Sequence, residues 1–363
     1  MNRRATNSKS EGSSDAPLTR FRKLPVRRLG AALAIGAVGT GIGMSRAGDQ
    51  AAMKHGILPT ATVTSSLVAD DLMTGAEWDI SNLDHERVDY WIERFTTDKR
   101  DDFEKFLERS GRYAPMILEK LDERGMPRDL LYLAMIESGF NPEAYSHAAA
   151  SGLWQFIQET GERYGLEVNR AVDERNDPVK ATDAALTYLE EMYERFGSWY
   201  LAAASYNTGE NRVGRIMREE TGSERGTDAS YYQIWDRLPR ETRDYVPLKI
   251  AAARISKDPA RYGFDHVERR EPLRYDEVVV DPATPLDAIA EAANITVDDI
   301  KDLNPQLKLD RTRNDQRALI RIPEGTRTAF MVNWPQVREE RTLAVGEYRV
   351  RADETLLAMA REE

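Results

Sequence analysis

Cysteine is absent from this chain of 363 residues. Its absence excludes a disulfide framework, thiolate ligands for a metal and a lipid attached through sulfur. Histidine is scarce as well, and none of the four histidines has a second one at the spacing that metal ligands need. The sequence therefore predicts no metal and no cofactor.

Positive charge is in deficit. Acidic residues number 62 against 51 basic ones, which gives a formal net charge of -11 at neutral pH. A nucleic-acid-binding surface needs a basic field to attract phosphates, so no nucleic acid is expected as a partner. Hydrophobic residues make up 41% of the chain and charged residues 31%. This balance is typical of a globular, mostly soluble protein with one domain of ordinary size and one or two small modules.

Long apolar runs are also lacking. The uncharged run Leu29–Met44 has 16 residues, fewer than the roughly 20 of a membrane-spanning helix, and five of them are glycines. Basic residues precede it, and Ser45 and Ala47 stand at the -3 and -1 positions of a candidate cleavage site. Residues 1–47 are predicted to be a removable export signal, with an uncleaved N-terminal membrane anchor as the alternative. The protein is expected in the periplasm or cell envelope.

Helical patterns follow a predicted linker at residues 48–82. Apolar residues fall at i, i+3, i+4 and i+7 starting from Val88. The clearest helix is predicted over residues 178–196, where Asp177 caps the start and Gly197 ends it. Apolar stripes of this kind indicate packed helix faces. Residues 83–261 are therefore predicted to form an α-helical domain with few or no strands.

A different pattern begins near residue 272. Strand, helix, helix and strand are predicted in turn at residues 275–280, 286–293, 297–303 and 318–322. This order predicts a small βααβ module over residues 272–325. Shifted by 70 residues, five apolar positions of the module recur near the C-terminus. Residues 342–363 are therefore predicted to begin a second, incomplete copy.

The stretch Glu137–Phe156 is difficult to explain by packing alone. Glu137 follows an almost wholly apolar segment, residues 130–136, so its helix is predicted to be buried all round and its carboxylate partly desolvated. Desolvation raises the pKa of a carboxyl group, which a general acid needs to hold a proton near neutral pH. Judged by position alone, a solvated glutamate or a structural partner of an arginine is the commoner outcome.

Four motifs that occur in order change this interpretation. They are Glu137-Ser138 with Phe140-Asn141-Pro142, Ala144 and Ser146; Gly152-Leu153-Trp154-Gln155; Ala204 to Glu210 with Arg212-Val213; and Glu241 to Pro247. Together they resemble the catalytic domain of family 1 lytic transglycosylases, the lysozyme-like enzymes that cleave peptidoglycan. The resemblance extends over more than 100 residues, and it implies a mainly α, lysozyme-like catalytic domain at residues 83–261.

Further details resemble one subgroup of that family. Trp154, and Thr160-Gly161 before Tyr164-Gly165-Leu166, are similar to the membrane-bound lytic transglycosylase D type. The βααβ module resembles a lysin motif (LysM), which grips glycans containing N-acetylglucosamine. The chain departs from these patterns in two places. Gln158 replaces a frequent proline, and Ala283-Thr284-Pro285-Leu286 replaces the usual Gly-Asp-Thr-Leu, which leaves the glycan affinity of the module in doubt but not its fold.

The resemblance implies a peptidoglycan lytic transglycosylase in cell wall remodelling, with Glu137 as its single catalytic carboxylate. Glu137 would protonate the oxygen between N-acetylmuramic acid and N-acetylglucosamine, then deprotonate the muramic acid C6 hydroxyl, which attacks C1 and leaves a 1,6-anhydro end. The substrate-binding residues that it implies are Ser138, Ser146, Trp154, Gln155, Tyr206, Asn207 and Tyr245. Core packing stays open for Trp154 and Tyr245, and a helix-end role stays open for Tyr206 and Asn207.

Two other functions remain open. A hydrolytic muramidase on the same fold would need an ordered water or a second carboxylate near the bond. Asp173, Asp177 and Glu210 are better explained by a loop, a cap and a turn than as that second carboxylate. A non-catalytic peptidoglycan-binding protein would be expected to have lost the acid, which is present here. Under all three hypotheses, the predicted partner is a peptidoglycan glycan strand.

Overall fold

The structure, a computed structural model, describes residues 72–344, with side chains to residue 341. The predicted export signal at residues 1–47 lies outside the described residues. So do the repeated apolar positions of the predicted second module copy, because they follow residue 344. Within the described range, none of the helices combines the length and the apolar character needed to cross a membrane.

Helices make up the first and larger part of the described chain. In chain order they are α1 Glu86–Thr96, α2 Arg100–Glu123, α3 Leu131–Ser138, α4 Gln158–Arg163, α5 Pro178–Phe196, α6 Trp199–Thr208, α7 Glu210–Thr221, α8 Asp228–Gln233 and α9 Arg240–Lys257. Their apolar faces share one hydrophobic core. The prediction of a mainly α architecture is confirmed.

Helix α5 shows how local sequence sets an element. The Asp177 side chain accepts hydrogen bonds from the backbone N–H groups of Val179 and Lys180, at 2.9 and 3.1 Å, and so caps the helix. Gly197 ends the helix with a φ of 71°, a left-handed conformation that glycine adopts without steric cost. The observed bounds agree with the predicted ones.

The helical domain starts earlier than the sequence indicates. Met73 and Ile80 are 1% and 5% exposed and lie in the same core as the helices. The Asp79 side chain also accepts a hydrogen bond from the backbone N–H of Asp129, at 3.0 Å. Residues 72–82, assigned above to a linker, therefore pack on the helical domain.

The βααβ module has its own hydrophobic core. Its elements are β1 Tyr275–Val280, α10 Leu286–Ala293, α11 Val297–Leu303, β2 Ala318–Pro323 and α12 Arg327–Ala344. The two strands pair antiparallel, with Tyr275 opposite Pro323 and Val280 opposite Ala318. Strand, helix, helix and strand are confirmed, but the sequence analysis did not predict the fifth element, α12, which packs on α10 through Phe330 and Trp334.

Candidate active site

A groove of about 780 Å³ crosses the helical domain. Its lining comes mainly from α1, α3, α6 and α9 and from the segment between α3 and α4, residues 139–157, here called the active-site loop; α4, α5 and α7 contribute one residue each. Most of these elements are far apart in the sequence. Only the packing of the helices brings their side chains to one surface.

Glu137 lies in the last turn of α3 and lines the groove. Residues 131–135 of this helix are buried, as predicted from its apolar sequence, and the helix ends at Ser138. Gly139 stops it with a φ of 59°, and a Cβ atom there would come within 2.1 Å of the Phe106 ring. This close packing fixes the end of the helix, and with it the position of the Glu137 carboxyl group.

The pKa of the Glu137 carboxyl group is raised to about 7, so its protonated and ionised forms are both populated near neutral pH. Burial raises this pKa, the hydrogen bond from Tyr245 lowers it, and the negative charge of Glu241 raises it, with a net value of about 7. The Tyr245 hydroxyl donates to Glu137 Oε1 at 2.5 Å. Because burial exceeds the effect of this hydrogen bond, the group is able both to give up and to take back a proton near pH 7.

Two further predicted residues, Tyr206 and Asn207, line the groove from the last turns of α6. The Tyr206 hydroxyl donates to the backbone carbonyl of Trp154 at 2.7 Å, which ties α6 to the active-site loop. Asn207 Oδ1 accepts a hydrogen bond from the Thr242 hydroxyl at 2.7 Å, so the orientation of the amide is fixed. Both side chains are held in place before any substrate binds.

Gln155 and Ser146 bring the active-site loop to the groove. Gln155 has a φ of 50°, an uncommon value for a residue with a side chain. Its Nε2 donates to the carbonyls of Ala144 and Gly152, at 3.1 and 2.8 Å, and these bonds support the strained turn. The Ser146 hydroxyl accepts a hydrogen bond from the Ala150 N–H at 3.1 Å. Both residues therefore shape the loop as well as face the groove.

For Trp154 the sequence left both a substrate contact and core packing open, and the structure places the side chain in the core. Its side chain is 0% exposed, and its indole N–H donates to the Thr182 hydroxyl at 2.9 Å in the interior. Ser138 is also not among the groove residues. Its hydroxyl donates to the carbonyl of Leu153 at 2.9 Å and joins α3 to the loop. The packing of the loop against the core therefore turns both side chains away from the substrate side.

Trp91, Glu241 and Asp244 are among the groove residues that were not singled out from the sequence. Trp91 belongs to the apolar stripe of α1, which was assigned to the core as a whole, yet it lines the groove. Glu241 and Asp244 also line it, and both are part of the fourth motif. Asp244 pairs with Arg87, with Nε and Oδ1 2.6 Å apart. The two carboxylates could have been found from the sequence, because they belong to the fourth motif. Trp91 could not, because its position in an apolar stripe predicts a core residue.

The acidic residues that were set aside as a second carboxylate have other partners. Glu210 lines the groove. Burial tends to raise its pKa, but hydrogen bonds from Arg163 and Tyr188 bring the pKa below its ordinary value. Asp173 and Asp177 are not groove residues. Each accepts hydrogen bonds from an arginine, Arg175 and Arg321 respectively.

Comparisons with known families agree with this geometry. Residues 115–228 match the family described as Transglycosylase SLT domain. This part of the chain is therefore similar to transglycosylase SLT domains. Residues 274–339 match the family described as Lytic transglycosylase MltD, LysM-like domain. The resemblance to the D type, with a LysM-like module after the catalytic domain, is confirmed.

Relatives are found among curated proteins and solved structures. Membrane-bound lytic murein transglycosylase D of Escherichia coli is 35% identical over 201 residues, which are 55% of this chain and 44% of that protein. Membrane-bound lytic murein transglycosylase F of Maricaulis maris is 28% identical over 200 residues, 51% of this chain and 39% of that protein. The chain thus spans less than half the length of these two relatives. The solved 70 kDa soluble lytic transglycosylase of Escherichia coli has a TM-score of 0.35 and 22% identity, over 45% of this chain and 27% of that one.

Proposed function

We propose that this protein is a peptidoglycan lytic transglycosylase. It cleaves the β-1,4 bond between N-acetylmuramic acid and N-acetylglucosamine and leaves a 1,6-anhydromuramic acid end. The observation that carries the proposal is the carboxyl group of Glu137, with a pKa of about 7, bonded to Tyr245 in a groove lined by amide and hydroxyl groups. The family matches and the named relatives support the same reaction.

One carboxyl group supplies both proton transfers. Protonated Glu137 donates to the glycosidic oxygen as the bond to C1 breaks, and the resulting carboxylate then takes the proton of the C6 hydroxyl of the same muramic acid. The C6 oxygen forms the new bond to C1, so no water is consumed. Nucleophile and electrophile belong to one sugar, which favours the intramolecular attack. A pKa near 7 suits a group that acts first as acid and then as base.

The remaining groove residues bind and orient the substrate. Gln155 and Asn207 present amide groups suited to the N-acetyl and hydroxyl groups of the glycan, and the Ser146 hydroxyl adds a further polar contact. Burial raises the pKa values of Tyr206 and Tyr245 well above their ordinary value, so both hydroxyls remain hydrogen-bond donors. Tyr245 acts on Glu137 directly, while Tyr206 holds the active-site loop.

Hydrolysis at the same groove is the second candidate. Glu210, Glu241 and Asp244 place further carboxylates along it, and a second carboxylate is what a muramidase uses to activate water. The hydrogen bonds to Glu210 and the ion pair of Asp244 engage two of them. Glu241 is the best placed of the three, because its charge acts on Glu137. The two reactions differ in product, since hydrolysis leaves a reducing muramic acid end.

The proposed site of action is the cell envelope. Murein is an envelope polymer, and the named relatives are membrane-bound murein enzymes. The basic residues, the uncharged run and the candidate cleavage site before residue 48 support export. Attachment to the membrane through an uncleaved N-terminal segment is the alternative to release into the periplasm.

The proposal is tested by mass spectrometry of the muropeptides that the protein releases from purified peptidoglycan. The expected products are lighter by one water than those of a muramidase. Glu137→Gln keeps the shape of the side chain but cannot donate a proton, so we expect product release to fall about 1000-fold. Reducing-end products would establish a muramidase instead, and an absence of products from the unaltered protein would contradict both.

Stability measurements show whether the Glu137→Gln substitution acts on chemistry alone. The raised pKa of Glu137 stabilises the fold below the ordinary carboxyl pKa, and this contribution is lost as the pH rises through 7. Above pH 7 the unaltered protein carries a half-buried charge that the glutamine variant lacks. Glu137→Gln should therefore be more stable at pH 8, by about 2 kcal/mol, and similar at pH 4. A destabilised variant would leave loss of fold as the cause of inactivity.

A further inference from the structure

Residues 167–177, which lie in the segment between α4 and α5, contact both parts of the molecule and are here called the bridging loop. On the module side, the backbone N–H of Lys308 donates to the carbonyl of Ala171, and the N–H of Asp173 donates to the carbonyl of Gln306, both at 2.9 Å. These bonds join the bridging loop to the chain between α11 and β2 as a short antiparallel bridge. The module is thus bonded by its backbone to the helical domain.

A buried ion pair lies beside this bridge. Arg321 Nη2 on β2 is 2.9 and 3.0 Å from the two carboxylate oxygens of Asp177, and the side chains are only 8% and 2% exposed. The Asn304 side chain bonds both the N–H and the carbonyl of Arg321, which fixes the strand that carries it. Asp177 is also the cap of α5. Removing either charge would leave the other buried and unpaired, which is strongly unfavourable.

The opposite side of the bridging loop supports the active-site loop. Arg175 is 5% exposed, and its Nη1 donates to the carbonyls of Ala149 and Phe156, at 2.8 and 3.1 Å. Asn176 Nδ2 donates to the carbonyl of Pro142. Gly152 lies so close that a Cβ atom there would be 1.7 Å from the carbonyl oxygen of Arg175. The back of the active-site loop is therefore built on residues 175–176, which directly precede Asp177.

The connection between domain and module is packed as well. The backbone N–H of Arg270 donates to the carbonyl of Glu108 at 2.8 Å, and that of Leu273 donates to the carbonyl of Arg112 at 2.9 Å. A Cβ atom at Gly111 would meet the carbonyl oxygen of Arg270 at 2.1 Å. The module is thus held both along α2 and at the bridging loop. A module that only binds peptidoglycan, joined to the helical domain by a flexible linker, would need neither of these contacts.

We propose that the LysM-like module positions the active-site loop, with Arg321 as the positioning residue that acts through Asp177 and the bridging loop. In this role the module is a structural part of the catalytic unit and not an independent peptidoglycan-binding module. The inference rests on the proposed function for its effect on catalysis. Its structural part, the support of residues 139–157 by the module, holds whatever the reaction is.

The test uses the full chain with Arg321→Met and a matched control, Arg341→Met. Arg341 is an arginine of the same module that pairs with Asp287 and Glu291 at the exposed surface. The first measurement is hydrogen exchange of residues 139–157 by mass spectrometry, without substrate. Arg321→Met should speed exchange in the active-site loop about tenfold, because the bridging loop loses its support. Arg341→Met should leave it unchanged.

The second measurement separates kcat from KM on soluble, uncrosslinked glycan strands. Arg321→Met should lower kcat/KM about tenfold, with most of the loss in kcat, because a loosened active-site loop holds the bound glycan less often in the reactive geometry. Arg321→Lys, which keeps the charge, should recover part of the loss. A raised KM with unchanged kcat and unchanged exchange would overturn the proposal and make the module a binding element only.

A milder variant covers the case in which Arg321→Met does not fold. The double variant Asp177→Asn/Arg321→Met leaves neither charge buried without its partner and keeps a residue that can cap α5, but it removes the ion pair, so exchange in the active-site loop should rise in the same direction. Unchanged exchange in this variant would overturn the proposal. Because exchange is measured without substrate, the result is independent of whether the unaltered protein releases anhydro products. The two proposals can therefore fail separately.

Discussion

The Glu137 carboxyl group is subject to opposing influences on its pKa. Burial in the last turn of α3 favours the neutral acid, whereas the hydroxyl of Tyr245 stabilises the carboxylate. The net result, a pKa of about 7, lies above the ordinary carboxyl value because burial is the larger influence. Tyr245 thus lowers the pKa from the value that burial alone would produce, and brings it near the working range of an enzyme that needs both protonation states.

Replacing Tyr245 by phenylalanine removes the hydroxyl and keeps the ring. We expect Tyr245→Phe to raise the pKa of Glu137, because the hydrogen bond that stabilises its carboxylate is lost. The descending high-pH limb of kcat/KM should then move up by about one pH unit, because Glu137 keeps its proton to higher pH. The measurement is a pH profile of product release.

The matched control is Tyr206→Phe. The Tyr206 hydroxyl bonds the Trp154 carbonyl and not Glu137, so the high-pH limb should stay in place even if the rate falls. A limb that shifts equally in both variants, or in neither, would show that the hydrogen bond from Tyr245 does not set the pKa of Glu137.

The active-site loop depends on one glycine. Gly152 has a φ of 85°, and a Cβ atom there would lie 1.7 Å from the carbonyl oxygen of Arg175. Alanine at this position would push the active-site loop away from the bridging loop and bear the strain of a left-handed backbone as well. Gly152→Ala should therefore lower the free energy of unfolding by more than about 3 kcal/mol, as measured by urea denaturation.

The variant Gly165→Ala separates the cost of backbone strain from the cost of the close approach to Arg175. Gly165 has the same φ of 85°, but apart from its two chain neighbours none of the described residues lies within 4 Å of the position of an added Cβ atom. Gly165→Ala should cost only the backbone term, about 1 kcal/mol. Equal losses in the two variants would mean that the close approach to Arg175 contributes nothing to the stability of the loop.

Helices whose start, apolar face and end are all marked in the sequence were predicted well. A helix without these marks was missed. Helix α5 has a cap, a proline in its first turn, an apolar face and a terminal glycine, and its bounds agree with prediction. Helix α12 contains Pro335 in its interior, which argues against a helix when the sequence is considered alone. The burial of Phe330 and Trp334 against α10 provides the missing stabilisation, and it is a tertiary effect.

The helical domain and the module have separate hydrophobic cores but share buried contacts. The Arg321–Asp177 pair and the backbone bonds of the bridging loop are made only when both parts are folded. We therefore expect one cooperative unfolding transition for residues 72–344. Calorimetry of the full protein should show a single peak with equal calorimetric and van't Hoff enthalpies.

Arg341→Met is the control variant for this prediction. Arg341→Met should keep the single calorimetric peak, because its ion pairs lie at the exposed surface of the module. Two separate peaks in the unaltered protein would contradict the prediction and indicate that the module unfolds independently of the helical domain.

The sequence by itself determined the helical domain, the module and the position of the glutamate that we propose as the catalytic acid. Local signals were sufficient for these: apolar periodicity, caps, and four motifs in order around Glu137. The tertiary structure alone decided that the Tyr245 hydroxyl reaches Glu137 over 108 positions of the chain, that Trp154 faces the core and that Trp91 faces the groove. It also decided that Arg321 pairs with Asp177. Periodicity tells which side of a helix is buried, but the identity of the atoms across from it depends on how distant segments pack.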